Sequence, residues 1–467
     1  MLKMYDTLTG KKKPLKPRQN KKLEIFVCGP TVYDYSHIGH ARTYIAFDVI
    51  VKYLNSKGYK VNYLQNITDL DDKIIQRSKE KLTTPEKLAK TFEQEYLKDM
   101  EALKVKSVTK YARATDYMTQ IINQIQRLSE KGYAYLIPDD GIYYDISKFK
   151  NYGKLSRRTI TQAEDAVTRI DEAKGKINKG DFCLWKFSKR GEPNWESSWG
   201  KGRPGWHIED TAITEANFGA QYDIHGGGRD LTFPHHEAEI AQMEAISNKS
   251  PMVNYWLHTG FLTVKGQKMS KSLGNFITIK ELLKEYSARL LRFIIIKSHY
   301  RSPLDYNEKI IKQAEKELDK IDEFIERLTS VKIKEAKSQQ LTDKAEKDFQ
   351  TAMEDDFNTP KALASIFQLL SKGNDLISKN KLNEKEAKEI LDFFKKIDDI
   401  FGFILTTKTK EKIPQSILSL VKQREKYRKE ENWKKADELR KKIQQLSYRI
   451  EDTEESSKLK QKAKDND

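Results

Sequence analysis

The sequence contains little cysteine and no long apolar stretch. Only two of its 467 residues are cysteines, so at most one disulfide bridge is possible and a reduced compartment is expected. The longest apolar candidate, residues 290–296, is interrupted by Arg292 and is far shorter than the ~18 residues that a membrane span needs. The N-terminal segment MLKMYDTLTGKKKPLK lacks the apolar core of a secretory signal. These absences predict a soluble, cytoplasmic protein that makes no membrane contact.

Basic residues outnumber acidic ones, 86 to 69, which gives a net charge of +17. Such a balance favours a polyanionic partner, either nucleic acid or an anionic membrane surface. Abundant lysine can also reflect genomic composition alone. Hydrophobic residues make up 37% of the chain and aromatic residues 10%, which is enough for hydrophobic cores. At this length roughly three or more compact units are expected.

The first part of the chain alternates strand and helix patterns. Residues 23–27 (LEIFV) are typical of a buried strand, a helical pattern begins near His37, and residues 61–67 are a second strand candidate. Strand, helix and strand within about 45 residues predict a βαβ unit, and therefore a parallel sheet. Ligands bind beyond the carboxyl ends of such strands. Cys28 and Thr68 both lie at these ends.

The pattern changes twice further along. Loops and short strand signals at residues 118–199 predict an insertion that splits the parallel-sheet domain. Beyond Tyr306 the periodicity is helical, with apolar side chains at three- and four-residue steps from Ile311 to Leu328. The tail from Glu454 onward is charged and poor in apolar residues, which favours disorder. The predicted fold class is therefore α/β with a helical region after the sheet.

The tetrapeptide His37-Ile38-Gly39-His40, the HIGH motif, follows the first strand and opens the helix. Free backbone N–H groups and the helix dipole at this position can hold phosphate, and the two imidazoles add hydrogen-bond donors. Gly39 removes a side chain where an adenine ring could approach the backbone. We therefore expect nucleotide phosphates to bind here.

Residues 268–272 (KMSKS) form a basic loop between two glycines. Two lysines three residues apart on a mobile loop can neutralise a triphosphate as charge builds in the transition state. An ordinary basic surface loop is the alternative interpretation.

The HIGH motif followed by KMSKS resembles the signature of class I aminoacyl-tRNA synthetases. The resemblance implies that His37 and His40 contact the ATP phosphates. It also implies that Lys268 and Lys271 stabilise the pentavalent α-phosphate during adenylate formation. Because the substrate carboxylate attacks, no side chain has to act as a covalent nucleophile, and catalysis is positioning plus electrostatics.

A glycine-rich run at residues 225–231 (HGGGRDL) precedes FPHHEAE at residues 233–239. The glycines let the backbone approach a ligand closely, and Asp230 can accept hydrogen bonds from ribose hydroxyls. His235 and Glu239 are four residues apart and share one face of a helix. That spacing suits metal ligands and also an ordinary surface pair.

Nearly the whole chain except its tail resembles the cysteinyl-tRNA synthetases. The resemblance is carried by CGPTVYD at 28–34, NITDLDDK at 66–73, GRPGWHIE at 202–209, DDFNTP at 355–360, the HIGH motif and the glycine-rich run. It implies a split Rossmann-like catalytic domain (1–117 and 200–252) around a connective insertion (118–199), a linking fold with the KMSKS loop (253–306), an all-α bundle (307–404), a small C-terminal anticodon-binding domain (405–453) and a disordered tail (454–467).

The implied activity is ATP-dependent activation of L-cysteine to cysteinyl-adenylate and transfer to the 3′ end of tRNA(Cys). The implied cofactors are ATP, Mg²⁺ and Zn²⁺, and a monomer is the default. A cysteine ligase that acts on a small amine and a non-catalytic tRNA-binding paralogue are the alternatives. The anticodon-like C-terminal region argues against the first, and the intact motifs argue against the second.

Cysteine and serine have nearly the same volume, so pocket shape alone discriminates poorly between them. The family solves this with an active-site zinc ion that coordinates the substrate thiolate, held by two Cys, one His and one Glu. Here Cys28, His235 and Glu239 match these ligands, and Asp210 stands where the family has the second Cys. The other cysteine, Cys183, matches no ligand position.

Asp210 leaves two interpretations open. In the one that we favour, zinc is retained, because aspartate is a zinc ligand with the same single negative charge as thiolate. In the other, zinc binds weakly or not at all and selectivity comes from the pocket. His207 and His236 are either alternative ligands or supporting residues, and Cys28 is either a ligand or a buried structural thiol.

Further roles are implied by the resemblance. The amino-acid pocket is expected to contain Gly29, Thr31, Thr68, Trp206 and His225. The nucleotide is expected to contact Gly39, Gly227, Gly228, Asp230 and Lys271. The anticodon is expected to meet Arg428, Trp433, Asp437 and Arg440. Trp433 would stack on a base, unless it is a core aromatic of a helix pair.

Overall fold

The computed structural model describes residues 1–158, 173–270, 273–335, 340–405, 415–446, 448–452 and 457–461. The chain divides into two compact units. The first consists of residues 1–280 and 288–404, and the second of residues 281–287 and 405–467. Among the helices that the structure describes, none has the length and apolar character needed to cross a membrane.

The strands and helices are numbered separately along the chain. The strands are β1 (Lys3–Asp6), β2 (Lys11–Pro14), β3 (Lys22–Val27), β4 (Lys60–Ile67), β5 (Lys110–Arg113), β6 (Ala134–Ile137), β7 (Gly141–Tyr144), β8 (Phe182–Phe187), β9 (Gly202–Pro204), β10 (Tyr222–Gly228), β11 (Val253–Thr259), β12 (Leu262–Val264), β13 (Gln267–Lys268), β14 (Leu304–Tyr306), β15 (Tyr448–Asp452) and β16 (Ser457–Gln461). The helices are α1 (Ile38–Ser56), α2 (Asp72–Glu80), α3 (Pro85–Ala102), α4 (Met118–Glu130), α5 (Ile208–Phe218), α6 (His235–Ser247), α7 (Ile279–Glu285), α8 (Ala288–Ile296), α9 (Glu308–Thr329), α10 (Leu341–Glu354), α11 (Thr359–Ser378), α12 (Glu384–Phe401), α13 (Gln415–Lys429) and α14 (Trp433–Gln445).

A five-stranded parallel sheet organises the first unit, in the order β11-β10-β3-β4-β5. The predicted β3-α1-β4 unit is confirmed. Helix α1 begins after His37, whose ring accepts hydrogen bonds from the first turn. It ends at Ser56 with Lys57 as its C-cap, and Gly58 follows with a φ of +82° that favours glycine. Because the strands are parallel, the segments after β3, β4 and β10 meet at one edge of the sheet.

A four-stranded antiparallel sheet, β6-β7-β8-β9, has its first three strands in the predicted insertion, whereas β9 lies just beyond the expected end at residue 199. Helix α4 precedes this sheet and shares a hydrophobic core with helices α5 and α6 of the parallel-sheet domain, through Ile121, Ile125 and Leu128. A smaller sheet, β13-β12-β14, carries the start of the KMSKS loop, since β12 and β13 form a hairpin that ends at Lys268.

Helices α9 to α12 form the bundle that the helical periodicity predicts. The side chains of Asn307, Asn358 and Asn383 cap α9, α11 and α12 by accepting a backbone N–H of the first turn. In α9 the apolar stripe buries Phe324, whereas Ile325, which the periodicity includes, is only half-buried.

The second unit contains α13, α14 and the β15-β16 hairpin. Its small core consists of Ile417, Val421, Ile443 and Tyr448. The expected disorder of the tail differs from the structure at Ser457–Gln461, which pairs with Tyr448–Asp452. Such a hairpin is held by backbone hydrogen bonds, so the polar composition of the tail does not by itself exclude it. Residues 462–467 lie outside the described part of the chain.

Candidate active site

A cavity of about 390 Å³ lies at the carboxyl edge of the parallel sheet. The predicted site residues that line it are Cys28, Gly29, Thr31, His37, Gly39, His40, Trp206, Asp210, Gly228, Asp230, His235 and Lys268. The fold therefore brings the HIGH motif, the end of β10, the start of α6 and the first lysine of the KMSKS loop to one place. Lys271 lies outside the residues that the structure describes.

Two residues expected in the amino-acid pocket lie behind its wall. The hydroxyl of Thr68 is buried and donates a hydrogen bond to Oε1 of Glu209. The ring of His225 is fully buried between the hydroxyl of Tyr222, 2.6 Å from Nδ1, and Sγ of Cys28, 3.4 Å from Nε2. Thr68 and His225 therefore form a second layer of polar groups behind the lining residues, and their contact with substrate stays a prediction.

Gly227 also lies behind the wall. A Cβ at this position would lie 2.9 Å from Cε1 of His236, so the glycine makes room for a histidine ring, and its contact with nucleotide stays a prediction. At Gly29, in contrast, a Cβ would lie 1.7 Å from the carbonyl oxygen of Asn66. Glycine there permits the close approach of the segments that follow β3 and β4.

The HIGH motif uses its backbone N–H groups within the protein, which corrects the expectation that they are free for phosphate. The N–H groups of Gly39 and His40 donate to Nδ1 of His37, at 3.1 and 3.3 Å, and that of Ile38 donates to the carbonyl of Ile277, at 3.1 Å. Sequence reasoning missed this because a histidine cap is uncommon. The imidazoles remain at the cavity wall as the donors of this motif.

The two imidazoles of the HIGH motif stack on each other, with ring centroids 3.7 Å apart. Burial, together with the neighbouring His37, lowers the pKa of His40 well below its ordinary value, so this ring is neutral at pH 7. A neutral imidazole donates one hydrogen bond from a fixed position. The ring of Phe276, just beyond the KMSKS loop, lies edge-on to His37.

Four side chains have the spacing of metal ligands, and three of them form the cavity floor with Glu239 directly behind them. Nε2 of His235 lies 2.9 Å from Oδ2 of Asp210 and 3.2 Å from Oε1 of Glu239, and Sγ of Cys28 lies 4.0 Å from the same Glu239 oxygen. Each of the four can place a ligand atom within 4.8 Å of the others, and all four are buried. One thiol, one imidazole and two carboxylates form a donor set that suits a divalent metal such as zinc.

The electrostatics of this floor also fit a cation. Oδ1 of Asp210 and Oε2 of Glu239 are buried without a hydrogen-bond partner, and within the described ranges neither carboxylate is paired with a lysine or arginine. Burial, with Asp210 and Glu239 nearby, raises the pKa of the Cys28 thiol well above its ordinary value. Burial and the charge of Asp210 likewise raise the pKa of Glu239. A bound cation would compensate these charges and favour the ionised ligands.

Both ring nitrogens of His235 are engaged, since Nδ1 lies 2.8 Å from Nδ1 of His207. This contact holds the ring of His235 so that Nε2 points at the two carboxylates. A metal-bound histidine is oriented in the same way by a hydrogen bond from its other ring nitrogen. His207 therefore supports His235. The indole of Trp206 stacks on the other side, 4.4 Å from the His235 ring, and is 42% exposed at the cavity wall.

A second ligand grouping shares Cys28 and Glu239 and adds His225 and His236. Nε2 of His236 lies 3.2 Å from Sγ of Cys28, and its Nδ1 lies 2.8 Å from Nε2 of His258. Burial lowers the pKa of His236 well below its ordinary value and that of His258 to about 3, so both rings are neutral. Sequence reasoning missed His258, although its place at the end of β11, paired with Gly227 of β10, indicates the same edge of the sheet.

The residues expected at the anticodon lie in the second unit. Trp433 opens α14 and is 59% exposed, and Asp437, one turn later, is exposed as well. Trp433 is therefore not the core aromatic of a helix pair. Arg440 lies another turn along α14 and Arg428 lies on α13, and both are half-buried.

Comparison with known proteins assigns the family. Residues 14–316 match the catalytic domain of tRNA synthetases class I (C), and residues 348–406 match the DALR domain. The chain is 44% identical over 468 residues to the cysteine--tRNA ligase of Thermococcus gammatolerans, and 45% identical over 465 residues to that of Pyrococcus horikoshii. Each alignment covers 97% of both chains.

Solved structures agree on the fold. The methionyl-tRNA synthetase of Mycobacterium tuberculosis bound by methionyl-adenylate superposes with a TM-score of 0.64 at 14% identity, covering 82% of this chain and 92% of that chain. At this identity the likeness shows the fold alone. The match of the catalytic domain and the extent of the sequence identity lead to one conclusion: the chain belongs to the cysteine--tRNA ligase family of class I aminoacyl-tRNA synthetases.

Proposed function

We propose that the chain activates L-cysteine with ATP to form cysteinyl-adenylate and transfers the cysteinyl group to the 3′ end of tRNA(Cys). The observation that supports this most is that one cavity is lined both by His37, His40 and Lys268 and by Cys28, Asp210 and His235. The first group suits the phosphates of a nucleotide, and the second suits a divalent cation that would bind the thiolate of cysteine.

The first step joins two substrates that the cavity can hold together. The carboxylate of cysteine attacks the α-phosphorus of ATP, a carboxylate–phosphate anhydride bond forms, and pyrophosphate leaves with the bonding electrons. His40 donates a hydrogen bond to a phosphate oxygen, and the ammonium groups of Lys268 and Lys271 stabilise the charge that builds on the phosphates. Asp230 accepts hydrogen bonds from the ribose, and Mg²⁺ accompanies the ATP. Positioning and electrostatics supply the rate enhancement.

The second step uses the terminal ribose of the tRNA. Its hydroxyl oxygen attacks the carbonyl carbon of the adenylate, an ester bond forms, and AMP leaves. In the second unit, Trp433, Asp437, Arg428 and Arg440 present an aromatic face and polar groups that suit unpaired bases. The net charge of +17 favours association with tRNA. The chain acts as a monomer in this proposal.

The floor residues fit a divalent cation, and we propose Zn²⁺ with Cys28, Asp210, His235 and Glu239 as its ligands. Bound there, the ion would coordinate the thiolate of cysteine, an interaction that a serine hydroxyl cannot match at neutral pH. Asp210 supplies the negative charge that a second cysteine supplies elsewhere in the family. His207 keeps His235 oriented, and Trp206 covers it.

Amino-acid-dependent exchange of pyrophosphate into ATP tests the first step. We expect exchange with L-cysteine, and a rate lower by at least about 10³-fold with L-serine. A site built to bind the thiolate leaves its own polar groups without a partner when serine binds instead. Equal rates with the two amino acids would contradict the assignment of the pocket. Metal analysis of the same preparation separates a zinc-based preference from one based on pocket shape.

A further inference from the structure

Arg42, on the second turn of α1, is a buried guanidinium held by backbone carbonyl groups. Its side chain is 2% exposed, and no carboxylate within the described part of the chain forms an ion pair with it. Nε donates to the carbonyl of Gly260 at 3.0 Å. Nη2 donates to the carbonyls of His299, Tyr300 and Ser302, the first two at 3.2 and 3.4 Å. One side chain thus connects α1 to two separate segments of the chain.

These two segments directly precede β12 and β14 in the chain. The N–H of Gly260 donates to the carbonyl of Tyr300 at 2.8 Å, and the N–H of Leu304 donates to the carbonyl of Phe261 at 2.9 Å. A Cβ at Gly260 would lie only 2.3 Å from the carbonyl oxygen of Ser302. Glycine is required by this close approach, and the guanidinium binds where the two backbones lie side by side.

Lys268 is connected to these two segments through the β13-β12-β14 sheet. Strand β12 pairs with β14 on one side and with β13 on the other, and β13 ends at Lys268. Arg42 itself follows His40 by two residues on α1. The next residue, Thr43, adds a hydroxyl contact of 2.9 Å to Thr259 at the end of β11.

We propose that Arg42 is a positioning residue for adenylate formation, which fixes the strand that carries Lys268 relative to the helix that carries His40. This inference rests on the proposed function. The two motifs are far apart in sequence, and each must contact the same triphosphate, so their spacing has to be held by the protein. A planar guanidinium donates several hydrogen bonds in fixed directions. An ammonium group lacks that planar fork, so lysine keeps the charge and loses the alignment.

Arg292 provides a matched control. It is also fully buried, and it donates to Asp48 at 2.9 Å and to the carbonyls of Leu103 and Phe401 at 2.7 and 2.8 Å. None of these groups lines the cavity or belongs to the β13-β12-β14 sheet. Arg292→Lys therefore reports what the loss of a buried guanidinium does to folding alone.

The test compares Arg42→Lys, Arg292→Lys and the unaltered protein in cysteine-dependent pyrophosphate exchange, with the folded fraction measured by thermal unfolding. For Arg42→Lys we expect kcat to fall by about 10²-fold, the cost of misplacing catalytic groups by about 1 Å. The KM for cysteine stays within about twofold, because Cys28 and Trp206 lie on other elements. For Arg292→Lys we expect a lower Tm and an unchanged kcat per folded molecule.

Gly260→Ala is the second variant, since it separates the same two segments and keeps Arg42. It is expected to lower kcat in the same way, and it decides the question if Arg42→Lys does not fold. The inference is overturned if Arg42→Lys keeps the full kcat, if Arg292→Lys lowers kcat as much, or if Gly260→Ala folds and exchanges normally. An unaltered protein with no cysteine-dependent exchange would instead refute the proposed function, and this inference with it.

Discussion

Oδ2 of Asp210 lies 2.9 Å from Nε2 of His235 at the floor of the cavity. Asp210 therefore belongs to a grouping of side chains that could hold a metal ion, although its residue type departs from the pattern of two cysteines. Its second oxygen is buried without a hydrogen-bond partner, and such an atom costs about 1–3 kcal/mol unless something binds it. A cation at this place explains why the carboxylate is tolerated there.

Replacement of Asp210 tests whether this carboxylate is a ligand. Asp210→Asn removes a negative charge and should weaken zinc affinity by at least the 10–100-fold that loss of a supporting contact costs. Asp210→Cys should retain zinc. The measurement is metal content after equilibrium dialysis against zinc buffers. In the cobalt-substituted protein, Asp210→Cys should also increase the sulfur-to-metal charge-transfer absorption, because a second thiolate is added.

Asp6→Asn is the control for these variants, because Asp6 is equally buried and binds backbone N–H groups such as that of Trp256 at 3.0 Å. We expect this variant to keep its zinc. Unchanged zinc affinity in Asp210→Asn would show that the carboxylate is not a ligand, and the grouping of Cys28 with His225, His236 and Glu239 would then be the candidate.

Lys268 is expected to act on the phosphates only. Lys268→Ala should reduce cysteine-dependent pyrophosphate exchange by roughly 10²–10³-fold, since one preorganised electrostatic contact to a transition state has about this effect. Binding of tRNA should change little. Lys309, an exposed lysine on α9, provides the control substitution to alanine. An exchange rate that survives in Lys268→Ala would remove this lysine from the proposed mechanism.

The sequence predicts local structure well where caps and periodicity agree. Helix α12 shows this, since Asn383 caps its start and Gly402, with a φ of +71°, ends it. Tertiary packing decides the cases that differ. Phe324 replaces Ile325 in the buried stripe of α9 because the bundle partners, among them Phe394, determine which side of the helix is covered.

In the candidate site, too, local sequence predicts some features and tertiary packing decides the others. Residue types and spacing bring His235 and Glu239 together, since four residues make one turn of α6. Whether a residue faces the cavity or lies behind its wall depends on sheet register and on helix placement, which no local pattern contains. Thr68, His225 and Gly227 lie behind it for that reason. His258 joins the histidine cluster only through the pairing of β11 with β10.

Trp433 is expected to stack on a base of the tRNA. Trp433→Ala should raise the KM for tRNA roughly 5- to 150-fold, which corresponds to about 1–3 kcal/mol per stacked base, and should leave pyrophosphate exchange unchanged. Leu446, another exposed apolar residue just after α14, gives the control variant Leu446→Ala. Equal effects of the two substitutions on tRNA charging would indicate a general loss of stability in this unit.

Asp99 on α3 predicts a pH dependence of stability. Burial and the charge of Glu95 raise the pKa of Asp99 to about 7, against a smaller opposing effect of Lys280, and its Oδ2 is buried without a hydrogen-bond partner. The folded state therefore holds a proton that the unfolded state, with a pKa near 3.9, releases. Stability falls as the pH rises from about 4 to about 7, and the penalty is complete above that range.

Asp99→Asn removes this ionisation. At pH 8 it should raise the free energy of unfolding by roughly 1–3 kcal/mol, and near pH 4 the variant and the unaltered protein should differ little. Urea unfolding at several pH values measures the difference. A stabilisation that is the same at pH 4 and pH 8 would mean that the carboxyl does not titrate in this range.

Charging of a tRNA(Cys) transcript tests the account most directly. Purified protein, ATP, Mg²⁺ and labelled L-cysteine should yield an ester at the 3′ end of tRNA(Cys), with no comparable product from L-serine or from a non-cognate tRNA. Rapid cysteine-dependent pyrophosphate exchange without any charging of this tRNA would contradict the account, and would favour a ligase that transfers cysteine to a small amine.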